Sequence, residues 1–120
     1  MKTIAAFESA IINQVKDIRD EGINPTVFWA YRNSQRCGND LIDFSEVIWE
    51  NDIEAIAATF AENNITEFTI SSNFSGLIKT LVAFEKHGFK MAGTTQVNAN
   101  HIDWQTGEHA KADALHMQKA

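Results

Sequence analysis

Ile4, Phe7, Ile11, Val15 and Ile18 recur at spacings of three and four residues, which lays one apolar stripe along a helix that Thr3 can cap and Gly22 can end. The next segment, Thr26 to Tyr31, is rich in β-branched and aromatic residues, yet its flanks favour a helix. Asn24 is a good N-cap, Pro25 suits the first turn, and Gly38 stands where a left-handed C-terminal residue belongs. Leu41 to Phe44 and Val47 to Trp49 are short apolar patches separated by Ser45-Glu46, too brief for periodicity to separate strand from turn. From Asp52 onward, Ile53, Ile56, Ala57 and Phe60 share a helical face that Asn63-Asn64 terminates. Thr66 to Ser71 alternates as a half-buried strand, and Ser72-Asn73 turns the chain. Phe74, Leu77, Ile78, Leu81, Val82 and Phe84 form a broad helical face ending at His87-Gly88. Phe89 to Val97 reads as a strand in which Gly93 marks a bulge or a close backbone approach, Gln105-Thr106-Gly107 as a tight turn, and Lys111 to Met117 as a last strand.

Helix, strand, helix, strand over residues 52–97 is the order of a right-handed crossover unit, in which two parallel strands flank a packed helix. The expectation is one α/β domain over residues 1–120, with α+β as the variant. It should hold about four helices and a mixed sheet of three to four strands. No internal repeat or low-complexity tract divides the chain.

Composition is that of an ordinary folded domain, 44% hydrophobic and 22% charged over 120 residues. The single Cys37 cannot form an intramolecular disulfide. A charge interrupts the N-terminal apolar stretch at Glu8, and no run approaches the roughly 18 apolar residues of a membrane span, so a cytoplasmic location is expected. Charge changes the picture more. Residues 37–78 hold eight acids and no lysine or arginine, whereas the rest of the chain holds eight acids and ten bases. An acidic surface repels nucleic-acid phosphates and steers toward basic proteins, even as a DNA mimic toward a nuclease. Solubility and helix N-terminal preference account for the same pattern without any partner. Within the interval, Asp43, Glu46, Glu50, Asp52 and Glu54 are the candidate partner-binding residues.

A second candidate is Ser71, Ser72, Asn73, Ser75 and Gly76, a hydroxyl- and amide-rich turn between a strand and a helix N-terminus, suited to an anionic ligand. It lacks both the glycine spacing of a dinucleotide fingerprint and the phosphate-loop lysine, and Asn73 or Ser75 serves equally as a helix cap. Ser75-Gly76 lacks the preceding glycine of a hydrolase elbow. Glu50 and Asp52 beside Trp49 suit acid–base work only if they face one cleft. His87, His101, His109 and His116 lack metal-ligand spacing, so no metal, no cofactor and no catalytic residue is expected. Trp29, Trp49 and Trp104 are expected as core anchors. Basic residues read as scattered, which disfavours direct nucleic-acid binding.

Residues 41–53, 65–78 and Asp103-Trp104-Gln105-Thr106-Gly107 together resemble a family of small bacterial proteins of unknown function, over roughly residues 40–117. The resemblance implies a setting on conjugative or other mobile elements of gut bacteria and no activity. Ala112-Asp113-Ala114 departs from the more apolar family pattern. The leading expectation is a non-enzymatic accessory protein of a mobile element that binds a basic protein, in its sharpest form an anti-restriction or anti-CRISPR inhibitor. A small-ligand or transferase-like domain and a homo-oligomeric structural protein are the alternatives.

Overall fold

The computed structural model describes residues 1–120 and runs α1 (Ala5–Ile12), α2 (Pro25–Cys37), β1 (Asp43–Phe44), α3 (Ile53–Glu62), β2 (Glu67–Ile70), α4 (Leu77–Lys86), β3 (Phe89–Ile102) and β4 (His109–Lys119). Two 3-10 turns, Ile18–Glu21 and Glu50–Asp52, complete it. The caps of α2 are those its sequence offers. Asn24 Oδ1 accepts from the Val27 N–H at 3.0 Å, Pro25 opens the helix, and Gly38 closes it at φ 71°.

The helical stripe of the first 18 residues is broken. Gln14 takes a left-handed φ of 51°, so α1 stops at Ile12 and the chain restarts as the 3-10 turn, capped by Asp17 and ended by Gly22. Ile4 rather than Thr3 precedes the first turn, with no side-chain cap. The stripe residues still face inward: Ile4 and Phe7 are buried, and Ile11, Val15 and Ile18 pack against the core. A tertiary contact holds the element in place of a long helix. The Ile4 N–H donates to the Tyr31 hydroxyl, which donates to Glu8, and Gln35 Nε2 donates to the same carboxylate at 2.8 Å. These bonds, Tyr31 foremost, hold the Glu8 carboxyl below its ordinary value of 4.5, with the Arg32 charge adding to the effect. A carboxyl depressed in the folded state stabilises the fold above pH 4.5 and loses that contribution as pH falls through the lowered value. Glu8→Gln is therefore expected to lower the urea midpoint at pH 7, with the gap to wild type narrowing as the pH is taken progressively below 4.5.

The strand order is β1-β2-β4-β3, with β1 parallel to β2 and both other pairings antiparallel. β2, α4 and β3 form the expected crossover, since both strands run against β4 and so parallel to each other. They are not neighbours, however: β4 lies between them. The short turn after β3 delivers β4 directly alongside it, as antiparallel pairing permits, and β4 inserts Ala114 and Met117 into buried positions. The adjacent parallel pair is instead β1 and β2, joined through α3, and β1 arises in the ambiguous stretch 41–49. Gly93 lies at a register shift between β3 and β4 with φ 140°, the bulge its position suggests.

Alternation puts Phe44 and Phe68 on one sheet face, where Phe60 of α3 and Phe84 of α4 meet them, and Asp43 and Thr69 on the other. Phenylalanine fills the centre, so the tryptophans are not core anchors. Trp29, Trp49 and Trp104 are 55%, 66% and 87% exposed. No helix is long and apolar enough to cross a membrane.

Candidate functional site

The acidic candidates divide. Glu46, Glu50 and Glu54 are exposed, and none of them forms an ion pair. Asp52 is half-buried and accepts from the Thr26 hydroxyl at 3.4 Å, tying the 3-10 turn to the start of α2, and it makes no side-chain cap for α3. Asp43 does not belong to the acidic surface. It is 5% exposed, and its two carboxylate oxygens accept from Thr69 Oγ1 and Ser71 Oγ, each at 2.6 Å. Its own N–H donates to Ser34 Oγ at 2.8 Å. A buried charge without a cation is costly unless its lone pairs are satisfied, and here the hydroxyls of Thr69 on β2 and of Ser71 just after it do so. Charge pattern alone could not separate this acid from its neighbours. Its place beside Phe44, on a strand buried on both faces, does.

The same bonds decide the serine-rich turn. Ser71 is engaged with Asp43, and Ser72 Oγ and both serine N–H groups converge on the Phe44 carbonyl. Asn73 and Ser75 are exposed, and neither caps α4, whose N-cap is Gly76 without a side-chain bond. The turn is thus a clasp between β1 and β2, and its five residues do not converge as a cradle for an anion. At the carboxyl ends of this parallel pair a recess of about 60 Å³ is lined by Asp43, Ser71, Cys37 and Asn98 among others. Asn98 closes it by bonding to the Cys37 carbonyl through Nδ2 at 2.8 Å and to Asn39 Oδ1 through its N–H at 2.8 Å. Burial, and then the Asp43 charge, push the Cys37 thiol up, away from the thiolate form. Glu50 is exposed and Asp52 half-buried beside it, and no three His, Cys, Asp or Glu side chains converge as a metal site.

Two cavities meet at Trp29. The first, about 230 Å³, runs between α2 and the 44–49 segment and is lined by Trp29, Val47, Trp49, Thr26 and Glu46. It places exposed aromatic surface beside the carboxylates that start at Glu46. The second, about 590 Å³, lies between the 10–19 segment and α2 and is rimmed by Lys16, Arg19, Arg32 and Arg36. This corrects the reading of the basic residues as scattered, since four of the ten share one cavity. Trp29, Arg32 and Arg36, spaced three and four apart on a helix, were a visible signal of a shared face. The left-handed turn at Gln14 that brings Lys16 and Arg19 to them was not.

No curated protein and no solved structure matches the chain. A domain family described as a domain of unknown function, DUF7698, matches residues 26–119, a wider span than 40–117 that takes in nearly all of α2 with Trp29, Arg32 and Arg36 as well as the whole sheet. With most of its length inside that match, including the groove of Trp29, Val47 and Trp49, the chain belongs to the DUF7698 family.

Proposed function

We propose that the protein is a non-enzymatic binding protein that docks a basic segment of another protein in the groove between α2 and residues 44–49. The observation that carries this reading is the pairing, in one groove, of two half-exposed tryptophans with Glu46, followed along the chain by exposed Glu50 and Glu54. Large aromatic side chains held open to solvent are the usual anchors of interfaces, and tryptophan faces attract arginine and lysine. Carboxylates at the rim raise the encounter rate with a cationic partner and set the salt dependence. Inhibition of a DNA-cutting enzyme is the sharpest form of this reading, because such enzymes present a basic cleft. The clasped Asp43, both of whose carboxylate oxygens are taken by hydroxyls, and the burial of Cys37 support a binding role over catalysis.

Tagged protein recovered from its native host at low and high salt, with mass spectrometry of what accompanies it, tests the reading. One basic protein is expected, lost at high salt and lost with Glu46→Lys/Glu50→Lys/Glu54→Lys, whose fold should be intact because all three side chains are exposed. Retention of the same partner by the charge-reversed variant would sink the proposal.

A further inference from the structure

The second cavity at Trp29 has a different chemistry. Lys16, Arg32 and Arg36 line it with no ion pair and no side-chain hydrogen bond. Like charges four residues apart on a helix repel, so Arg32 and Arg36 are held together at a cost unless an anion offsets it. The protein supplies little compensation. Asp17 is taken by Arg19, which bonds it through the backbone N–H, Nε and Nη2 at 2.8–3.0 Å. Glu8, near Arg32, is already bonded to Tyr31 and Gln35. Ile11, Val15, Ile18 and Phe28 form an apolar floor beneath the cations. Trp29 is 55% exposed and is braced edge-on by Phe28, with ring centroids 5.2 Å apart, so an oriented indole is available for stacking.

We infer that this cavity binds a nucleoside di- or triphosphate, its base stacked on Trp29 and its phosphates held by Lys16, Arg32 and Arg36. Guanidinium groups match phosphate oxygens in geometry and charge. The volume of about 590 Å³ lies within the range, roughly 300–1,000 Å³, that encloses small ligands. A short phosphate chain fits better than a nucleic-acid strand, because the eight acids of residues 37–78 repel an extended polyanion while four of the ten cations share this one cavity. The inference does not rest on the partner-binding reading: its cations lie outside the acidic groove, and only Trp29 and Pro25 line both.

Calorimetric titration of the full chain with ATP and GTP tests it, with inorganic triphosphate and a twelve-nucleotide single strand as comparators. ATP or GTP should saturate one site, and inorganic triphosphate should bind about tenfold more weakly for want of a base to stack. Arg32→Ala/Arg36→Ala should weaken nucleotide binding by about tenfold or more. Trp29→Leu should erase the advantage over inorganic triphosphate, and Glu46→Lys/Glu50→Lys/Glu54→Lys should leave nucleotide affinity undiminished. Thermal melts establish that each variant is folded, and Lys16→Glu/Arg36→Glu, at two exposed positions, replaces the arginine pair if that variant does not fold. No binding of either nucleotide at millimolar concentration would overturn the inference. So would an undiminished affinity in the folded arginine variant, equal affinity for inorganic triphosphate, or tighter binding of the strand.

Discussion

Phe68→Ala is expected to cost about 3–5 kcal/mol, enough to consume a large share of the stability of a domain this size. Phe68 is fully buried on β2, with the rings of Phe84, Phe60, Phe89 and Phe44 at centroid distances of 4.8, 5.1, 5.3 and 5.6 Å. Those four rings come from α4, α3, β3 and β1, so the cavity left by truncation touches every layer of the sheet region and cannot close by moving one element. Urea unfolding should show the loss as a lower midpoint, and thermal melting as a drop of about 10–20 °C. Phe68→Leu, which keeps most of the volume, should cost far less. A cost below about 1 kcal/mol for Phe68→Ala would mean that the rings do not pack as one cluster.

Asp43→Ala should be the most damaging change at a charged position, at about 2–4 kcal/mol. The substitution removes the acceptor of two hydroxyl bonds and leaves Thr69 Oγ1, on a residue 2% exposed, with no partner. The loss is therefore the cost of an unsatisfied buried group on top of the bonds themselves. Asp43→Asn keeps the shape and one acceptor oxygen and should cost about 1 kcal/mol. Asp43→Val combined with Thr69→Val should be less damaging than the sum of the two single changes, because both partners of the Thr69–Asp43 bond are then removed together, leaving only the half-buried Ser71 hydroxyl to find another acceptor. Denaturant titration of these five variants, the two single valine changes included, reads this directly. A neutral Asp43→Ala would place the residue back on the solvated acidic face, where charge counting put it.

The contrast between Asp43 and Glu46 shows where the sequence is legible and where it is not. Both belong to one acidic interval, and only the pairing of β1 with β2 decides that one is clasped by hydroxyls and the other left at the groove. β1 is two residues long, too short for its alternation to be read. Local signals fared better where they were chemical rather than periodic: Asn24, Pro25 and Gly38 fix the ends of α2, and Gly93 marks the bulge in β3. The apolar stripe from Ile4 to Ile18 identifies inward-facing positions correctly but overstates the helix, because Gln14 adopts a conformation its residue type does not announce. The order of the sheet lay beyond reach, since a crossover and a returning strand are compatible with β4 at an edge or, as found, between β2 and β3. For the candidate sites, Trp29, Arg32 and Arg36 share a face by spacing alone, whereas Trp29 and Trp49, twenty residues apart, become groove neighbours only through the packing of α2 on β1.

Binding through the groove of Trp29, Val47 and Trp49 is the centre of this account, and the affinity of the recovered partner for Trp49→Ala tests it most directly, with wild type and Glu46→Lys/Glu50→Lys/Glu54→Lys measured alongside at two ionic strengths. Trp49 is 66% exposed, so its truncation spares the core. The expected result is a loss of about tenfold or more with Trp49→Ala that persists at high salt, and a loss with the charge reversals that is large at low salt and shrinks at high salt. Equal affinity of wild type and Trp49→Ala at both ionic strengths would contradict it.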